Sequence, residues 1–325
     1  MIRGRRLRQS ELVRSMVRET RISVDSLVWP LFIKEGVNIK SPIASLDGQF
    51  HYSPDRLTEA VEQGLQAGVR KFMLFGLPRE KDAVGSGAYA EDGVVQQGVR
   101  AVRARLGNEA YLISDVCMCE YTDHGHCGIL SGHDVCNDAT LPYLDKIALS
   151  HARAGVDMVA PSDMMDGRIA SMRAALDGAG FEQLPIMSYA VKYASSFYGP
   201  FREAAGSTPS FGDRKTYQMD MHNGREALRE AAADEAEGAD ILMVKPALAY
   251  LDVIHAVREQ SALPLAAYSV SGEYAMIKAA SSAGLIDEYK VMCESAVSVY
   301  RAGADILITY FANELAAAIA RGDIG

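Results

Sequence analysis

The sequence predicts an α/β protein built as a (β/α)8 TIM barrel with an N-terminal arm. Eight short apolar runs alternate with longer amphipathic stretches over about 300 residues. Most of these runs are almost continuously apolar, as expected for strands that are buried on both faces. The same junction also occurs three times: a glycine, at position 155, 238 or 303, ends a helix pattern, and a strand pattern follows closely. Together these observations predict parallel strands joined by helices.

The predicted strands are Leu27–Ile33, Lys71–Leu77, Tyr111–Val116, Asp157–Ala160, Pro185–Tyr189, Asp240–Lys245, Pro264–Val270 and Asp305–Tyr310. Helix patterns lie between them. In SPDRLTEAVEQGLQAG, for example, Ser53 suits the N-cap, Pro54 the first turn and Gly68 the end of the helix. A doubly wound open sheet is the alternative fold. It is disfavoured because the glycine-rich stretch GSGAYAEDG is not set between a strand and a helix, as a dinucleotide loop requires.

The bulk properties exclude several classes of protein. The chain has 325 residues, a formal net charge of -9 and 49% hydrophobic residues. This composition is typical of a soluble globular enzyme, and the negative charge gives no reason to expect a nucleic-acid partner. No apolar run approaches the roughly 20 residues that span a membrane. Five cysteines without a secretory leader predict a reducing, cytoplasmic location, where cysteines bind metals more often than they form disulfides.

Residues 1–25 are predicted to form an arm that contacts other subunits, and residues 26–325 a single catalytic barrel domain. The arm is rich in arginine and apolar residues, as is a mitochondrial transit peptide. However, Glu11 and Glu19 are not typical of such a peptide, and the segment leads directly into the apolar strand LVWPLFI. We therefore interpret the arm as part of the mature protein.

The barrel fold predicts where chemistry takes place. Active sites of (β/α)8 barrels lie at the C-terminal ends of the strands and on the loops that follow them. Two of these loops, residues 117–139 and the lid-like loop 193–223, are unusually long, and long ordered loops are commonly functional. Both leave the same predicted face. The polar residues at the strand ends on this face are Asp115, Ser162, Lys192, Lys245, Ser269, Ser271 and Tyr310.

Two lysines on this face indicate amine chemistry. Lys192 and Lys245 each lie at or just after an apolar strand, and lysine is rarely buried without a partner. Each could form only a salt bridge to a carboxylate. Two lysines at one site lower each other's pKa, and burial lowers it further, so that a neutral amine becomes available near pH 7. Such an amine attacks a carbonyl carbon and forms a Schiff base, which predicts a substrate with a carbonyl group.

The spacing C-x-C-x7-C formed by Cys117, Cys119 and Cys127 predicts a zinc site. Three protein ligands leave a fourth position for water or substrate, as in catalytic zinc sites. His124 or His126 could instead supply the fourth ligand and close a purely structural site. The position of the loop on the active face favours the open, three-thiolate form.

The lid-like loop carries cations that suit an anionic substrate. Arg202, Arg214 and Lys215 could bind a carboxylate, although such charges are usually solvated. Ser271 and Tyr310 could donate hydroxyl hydrogen bonds to a second carboxylate. The residues alone thus predict a lysine-imine enzyme with an auxiliary zinc and an anionic carbonyl substrate.

Several stretches resemble the porphobilinogen synthase (5-aminolevulinate dehydratase) family. GADILMVKPALAY (238–250) is similar to the lysine motif of that family, and KYASSFYGPFREAAG (192–206) to its second lysine segment and lid. DVCMCEYTDHGHCGIL (115–130) resembles the cysteine-rich, zinc-dependent form. The resemblance extends from the RRLR stretch of the arm through VSGEYAM to ITYF, and so covers nearly the whole chain.

The resemblance implies condensation of two 5-aminolevulinate molecules to porphobilinogen, with loss of two waters, in tetrapyrrole biosynthesis. It implies that Lys245 forms a Schiff base with the first substrate. Lys192 would either form an imine with the second substrate or help to activate that substrate. The resemblance also implies that Cys117, Cys119 and Cys127 bind zinc and that Ser271 and Tyr310 bind the first carboxylate. It implies that Arg202, Arg214 and Gln218 bind the second substrate. Asp115 and Ser162 would orient the reacting groups.

The resemblance also implies features outside the active site. Family members commonly form homo-octamers, and bacterial members bind an allosteric Mg2+ through a glutamate that matches Glu230. Glu226 and Asp234 flank Glu230, so this acidic helix face could also be merely solvated. Glu120 and Asp123 stand where many relatives have proline and serine, but all three cysteines are present and zinc remains the expected metal.

Two alternatives remain at this stage. A class I aldolase-like barrel would also use a lysine imine, but it needs neither clustered thiols nor a second lysine. A non-catalytic zinc-binding barrel would need no lysine or lid arginine. Formation of a pyrrole from 5-aminolevulinate distinguishes the synthase from both.

Overall fold

The computed structural model describes residues 1–325 and confirms the predicted barrel. Eight parallel strands form its wall, and they are numbered β1 to β8 in chain order: Leu27–Lys34, Lys71–Leu77, Tyr111–Val116, Met158–Pro161, Met187–Lys192, Ile241–Lys245, Leu265–Tyr268 and Ile306–Ile308. They are hydrogen-bonded in the order β4-β3-β2-β1-β8-β7-β6-β5. A parallel bridge from Val159 in β4 to Ile186, the residue before β5, brings the two end strands together and closes the barrel.

Eleven α-helices accompany the strands, and most of them form the outer layer. They are α1 to α11: Glu11–Met16, Leu57–Ala67, Val94–Leu106, Asn137–Ala154, Arg168–Gly178, Gly199–Ala204, Gly224–Ala236, Leu251–Gln260, Ser271–Ser282, Glu288–Ala302 and Ala312–Ala320. None of these helices has both the length and the apolar character needed to cross a membrane.

The apolar strands form because both of their faces are covered. Strand β1 is buried over its first seven residues, and β5 over its whole length. Glycine ends the preceding helices where the sequence predicts: Gly68 and Gly155 adopt φ angles of 96° and 101°. This left-handed conformation strains any residue with a Cβ atom, which explains why glycine recurs at these junctions.

Several boundaries differ from the prediction; strand β7, for example, ends at Tyr268 rather than Val270. Strand β5 begins and ends later than predicted, so that Lys192 is its last residue. Tyr310 follows β8 rather than ending it. Helix α2 begins at Leu57, because residues 54–56 form a turn. The Ser53 hydroxyl accepts a hydrogen bond from the Ile39 backbone N–H at 2.8 Å instead of capping the helix.

Two further segments extend from the barrel. A short antiparallel pair, Lys40–Pro42 with Phe50–Tyr52, follows β1. The N-terminal segment contains a 3-10 helix at Gly4–Arg8 and then α1, neither of which has a buried residue. A role of residues 1–25 as an arm between subunits stays a prediction.

Candidate active site at the mouth of the barrel

One cavity at the C-terminal ends of the strands gathers most of the predicted site residues. It is lined by Phe75, Asp115, Cys119, Glu120, Ser162, Lys192, Tyr198, Phe201, Arg202, Arg214 and Lys245. These side chains come from several barrel strands, from the cysteine loop and from the lid. Residues far apart in the chain therefore meet at the face where barrel enzymes carry their active sites.

Lys245 lies inside a cage of aromatic rings. Its Nζ is 4.3 Å from the ring centroid of Tyr268 and 5.1 Å from that of Phe201. The rings of Tyr189 and Tyr198 lie at 5.2 Å. Burial lowers the pKa of Lys245 to about 7, and the charge of Lys192 contributes to the decrease. A substantial fraction of Lys245 is therefore a neutral amine near neutral pH.

The register of the barrel places the second lysine beside the first. Lys192 and Lys245 are direct neighbours at the ends of the paired strands β5 and β6. The Nζ of Lys192 donates a hydrogen bond to the backbone carbonyl of Ser162. It also lies 5.6 Å from the ring centroid of Tyr189, one of the rings around Lys245. The two amines therefore face one space, and Lys192 is placed as a hydrogen-bond donor.

Asp115 brings a carboxyl group to the same cavity. It is buried at the end of β3, and its Oδ1 atom has no hydrogen-bond partner. Burial raises the pKa of Asp115 to about 8, and the nearby carboxyl of Glu120 raises it further against the opposing charges of the lysines. A carboxyl with this pKa is mostly protonated at neutral pH and can donate a proton.

The three cysteines of the loop after β3 form a compact buried group. The Sγ atoms of Cys117, Cys119 and Cys127 all lie within 4.8 Å of one another, and those of Cys117 and Cys119 are 3.4 Å apart. All five cysteines of the chain are free, so no disulfide involves this loop. Burial raises the pKa of Cys117, whereas hydrogen bonds from Cys117 and Cys119 lower that of Cys127. Three thiols that share protons in this way form a suitable set of metal ligands.

The two histidines of the loop are engaged elsewhere. His126 contacts the Tyr217 hydroxyl and the Phe211 carbonyl oxygen, both at 3.1 Å, through its two ring nitrogens. The Nδ1 atom of His124 accepts the backbone N–H of His126, also at 3.1 Å. The group of possible metal ligands contains only the three thiols. This arrangement favours an open site over one that is closed by histidine.

The lid contributes polar groups that lack partners within the protein. Arg214 is buried and donates to the carbonyl oxygen of Gly125 at 2.8 Å, yet its Nε has no partner. The Nε of Arg202 and both amide atoms of Gln218 are also buried and unpaired. Such unpaired groups are costly, and Arg202 and Arg214 both line the lysine cavity, which indicates a place there for a polar ligand. Gln218 does not line that cavity but a separate polar depression. Lys215 differs, because it is exposed and pairs with Asp213 at 3.3 Å, which makes it a solvated charge.

Ser271 and Tyr310 lie beside this cavity rather than in its lining. The Ser271 hydroxyl accepts the backbone N–H of Phe201 at 2.9 Å and thereby contacts the lid. The hydroxyl of Tyr310 is 3.4 Å from that of Tyr268, whose ring is the nearest to Lys245. Both residues are buried, and each contacts a residue of the aromatic cage.

Glu230 lies away from this cavity. It is half-buried on α7 and lines a separate polar depression together with Asp134, Asp166 and Glu226. No group of three possible metal ligands includes it. Burial, followed by the charge of Asp234, raises the pKa of Glu230.

Two features of the site were not predicted as functional. Glu120 lines the cavity, and one of its oxygens is 3.3 Å from the Cys119 sulfur. Its position between two cysteines of the motif could have indicated this. The aromatic cage combines rings from two strands and the lid, and only the aromatic residues within the two lysine segments hinted at it.

Comparison with known proteins agrees with this geometry. Residues 1–318 match the profile of the family described as Delta-aminolevulinic acid dehydratase. The chain belongs to this family. It is 52% identical over 314 residues to the dehydratase of Halalkalibacterium halodurans, covering 97% of this chain and 95% of that protein. It is 51% identical over 313 residues to the dehydratase of Methanothermus sociabilis, with coverages of 96% and 97%.

A solved structure of a dehydratase has the same fold. The delta-aminolevulinic acid dehydratase (porphobilinogen synthase) of Toxoplasma gondii ME49, in complex with its reaction product porphobilinogen, superposes with a TM-score of 0.95. The two chains are 44% identical, and the match covers 98% of this chain and 91% of the other. The family resemblance seen in the sequence is therefore confirmed, and the chain is an enzyme of the dehydratase family.

Proposed function

We propose that this chain condenses two molecules of 5-aminolevulinate into porphobilinogen with loss of two waters. One observation carries the proposal: two lysines that are neighbours across β5 and β6 share a cavity with the thiol loop and with unpaired arginine groups of the lid. Membership of the dehydratase family supports the same reaction. An aldolase-like site would not need the thiol loop or the second lysine.

Lys245 is the proposed nucleophile. Its neutral amine attacks the ketone carbon of one substrate, a C–N bond forms, and the ketone oxygen leaves as water to give an imine. Asp115 is the proposed proton donor for that water, because its raised pKa keeps it protonated at neutral pH. The four rings around Lys245 exclude water and stabilise the positive charge of the protonated imine.

Lys192 is proposed to act on the second substrate. Its hydrogen bond to the carbonyl oxygen of Ser162 fixes its side chain next to Lys245. From that position its ammonium group can polarise the second ketone, and after losing a proton it can form an imine itself. In this proposal Ser162 orients Lys192 through its backbone carbonyl group.

The thiols of Cys117, Cys119 and Cys127 are proposed to hold zinc. The donor set fits, since zinc–sulfur bonds of about 2.3 Å in a tetrahedron place sulfurs about 3.8 Å apart, and these sulfurs lie within 4.8 Å of one another. When bound, zinc would supply a Lewis acid that polarises an oxygen of the second substrate. Three thiol ligands leave a coordination position open for that contact.

The carboxylates of the two substrates have separate proposed sites. Ser271 and Tyr310 would bind the carboxylate of the substrate attached to Lys245, because both lie beside its aromatic cage. Arg202, Arg214 and Gln218 would bind the second substrate, because each has a buried polar atom without a protein partner. A guanidinium fork suits a carboxylate in both charge and shape.

Three further proposed assignments concern regulation, assembly and location. Mg2+ at Glu230 would act as an allosteric ion, and the acidic neighbours Asp166 and Glu226 are compatible with a cation there. A homo-octamer agrees with the exposed apolar side chains of the N-terminal segment, which include Leu7, Leu12 and Met16. A cytoplasmic location agrees with five free cysteines.

The direct test measures porphobilinogen formed from 5-aminolevulinate before and after zinc is removed with a chelator that does not react with thiols. We expect activity to be lost on removal and restored by zinc. Borohydride added with substrate should leave a secondary amine on Lys245, located by peptide mapping. The absence of pyrrole formation would refute the function, and an unmodified Lys245 with bound substrate would refute the imine.

A further inference from the structure

Glu273 is a buried carboxylate that has no cationic partner. It lies in the first turn of α9, and only 4% of its surface is exposed. No lysine, arginine or histidine forms an ion pair with it; its oxygens accept backbone N–H groups instead. A buried carboxyl group held only by backbone donors is unusual, because its desolvation is costly unless the hydrogen bonds are well placed.

The two oxygens of Glu273 bind two different loops. One oxygen accepts the backbone N–H of Leu248 at 2.5 Å, and the other accepts that of Val270 at 2.6 Å. Leu248 follows β6 and is three residues after Lys245. Val270 follows β7 and directly precedes Ser271. One side chain therefore connects the segments that carry the proposed nucleophile and the proposed carboxylate-binding hydroxyl.

Glu273 does not reach the substrate cavity itself. Its side chain borders a small, mainly apolar cavity beneath α9 and α10, lined in part by Ile277, Met292 and Val299. It is absent from the lining of the cavity that contains the two lysines. Any effect of Glu273 on the reaction must therefore act through the two loops.

The first turn of α9 also supports the lid. A Cβ atom at position 272 would lie 2.5 Å from the Phe197 carbonyl oxygen, so the lid backbone rests directly on Gly272. The Ser271 hydroxyl accepts the N–H of Phe201, whose ring covers Lys245. A shift of this turn would therefore move both Ser271 and one ring of the aromatic cage.

We propose that Glu273 is a positioning residue that sets the distance between Lys245 and Ser271, so that the first substrate's ketone and carboxylate are held at once. This inference rests on the proposed function. The two hydrogen bonds require the ionised carboxylate, because both oxygens face N–H donors. Burial raises the pKa of Glu273 to about 7, and the backbone N–H groups of Val270 and Leu248 oppose that increase. In Glu273→Gln the amide NH2 would face one of those donors, and one of the two loops would lose its hydrogen bond.

The test uses 4-oxopentanoate, which keeps the ketone and carboxylate of the substrate and lacks its amine. The holoenzyme is incubated with this probe and quenched with borohydride, and the rate of adduct formation on Lys245 is measured. For Glu273→Gln we expect the rate at low probe concentration to fall roughly tenfold or more, with a raised half-saturating concentration. Glu314→Gln is the matched control, because Glu314 lies in the first turn of α11, is exposed and bridges no loops.

The measurement is made well below the melting temperature of each variant, so that loss of folding stability alone does not change the rate. An unchanged rate in Glu273→Gln would overturn the inference. If that variant does not fold, Glu273→Asp is tested in the same way, since its shorter side chain cannot span both loops; a wild-type rate there would equally overturn the inference. If the wild-type enzyme itself forms no adduct on Lys245, the imine function fails instead.

Discussion

Lys192→Met removes a positive charge next to Lys245. We expect this change to make Lys245 less reactive at acidic pH, even though it also removes one amine from a crowded site. The pKa of Lys245 is lowered to about 7 by burial and then by the charge of Lys192. Only the neutral amine attacks a ketone, so the rate of imine formation rises about tenfold per pH unit below this pKa and levels off above it. In Lys192→Met the neighbouring charge disappears, the pKa of Lys245 rises, and the whole profile moves to higher pH.

The size of the shift follows from the geometry. The Nζ atoms of Lys192 and Lys245 lie 5.6 and 5.2 Å from the same ring centroid of Tyr189, so they are at most about 11 Å apart. At an effective dielectric constant of about 20, two unit charges at this distance repel by about 1.5 kcal/mol. This energy corresponds to about one pKa unit, and a shorter separation gives more. We therefore expect imine formation at about pH 6 to slow roughly tenfold or more.

The assay measures the Lys245 adduct directly. The holoenzyme reacts with 4-oxopentanoate at a series of pH values from about 5 to about 9 and is quenched into alkaline borohydride, and the modified peptide is quantified. Lys215→Met is the control, because it removes a lysine charge that is 74% exposed on the lid. A midpoint in Lys192→Met that is unchanged, or that moves to lower pH, would refute the electrostatic coupling of the two lysines.

Three other predictions test separate parts of the structure. Cys127→Ser should weaken zinc binding by more than about a hundredfold, since substitutions of residues that only surround the ligands already cost up to about that much. Cys136→Ser should leave zinc binding unchanged, because Cys136 is not part of the thiol group. Metal content after dialysis against a chelator measures both. Arg202→Gln should raise the KM for 5-aminolevulinate roughly tenfold or more and change kcat less, because a charged hydrogen bond contributes about 1.5–3 kcal/mol; steady-state kinetics at saturating zinc decide this. Asp234→Ala should lower the free energy of unfolding by about 3 kcal/mol in urea titrations, because it removes the carboxylate that binds the buried Arg168 through two hydrogen bonds and leaves only Asp163, at 3.9 Å, to balance its charge; a loss below about 1 kcal/mol would contradict the ion pair's structural role.

The fold could be predicted because its pattern is local. Each barrel strand is a short apolar run, and glycines such as Gly68 and Gly155 mark the ends of the helices before them. The bounds of β5, which begins and ends later in the chain than predicted, and the early end of β8 could not be predicted in the same way. They depend on pairing with neighbouring strands, as in the contact of Lys192 with Lys245, which the residues of one strand do not determine.

The site was predictable in its reactive groups and not in its surroundings. Lysines at strand ends and closely spaced cysteines are rare enough to stand out in the sequence. By contrast, nothing local distinguishes Arg202, whose Nε is buried and unpaired, from Lys215, which is solvated on the same loop. The bridging role proposed for Glu273 depends likewise on packing, because Glu273 and Leu248 lie 25 residues apart in the sequence. Such features arise only when the barrel closes.

The geometry also explains why an arginine lies between the thiol loop and the lid. Arg214 donates to the carbonyl oxygens of Gly125 in the thiol loop and Ser207 in the lid, and it lines the cavity with its Nε unpaired. A zinc ion with three thiolates would carry a net charge of -1, and the guanidinium group can balance that charge without becoming a ligand. Lysine could not replace it, because one ammonium group cannot bind both carbonyl oxygens and still present a planar donor to a carboxylate. In the proposed reaction the same side chain would therefore serve both the thiol cluster and the second substrate, in agreement with its burial between the thiol loop and the lid.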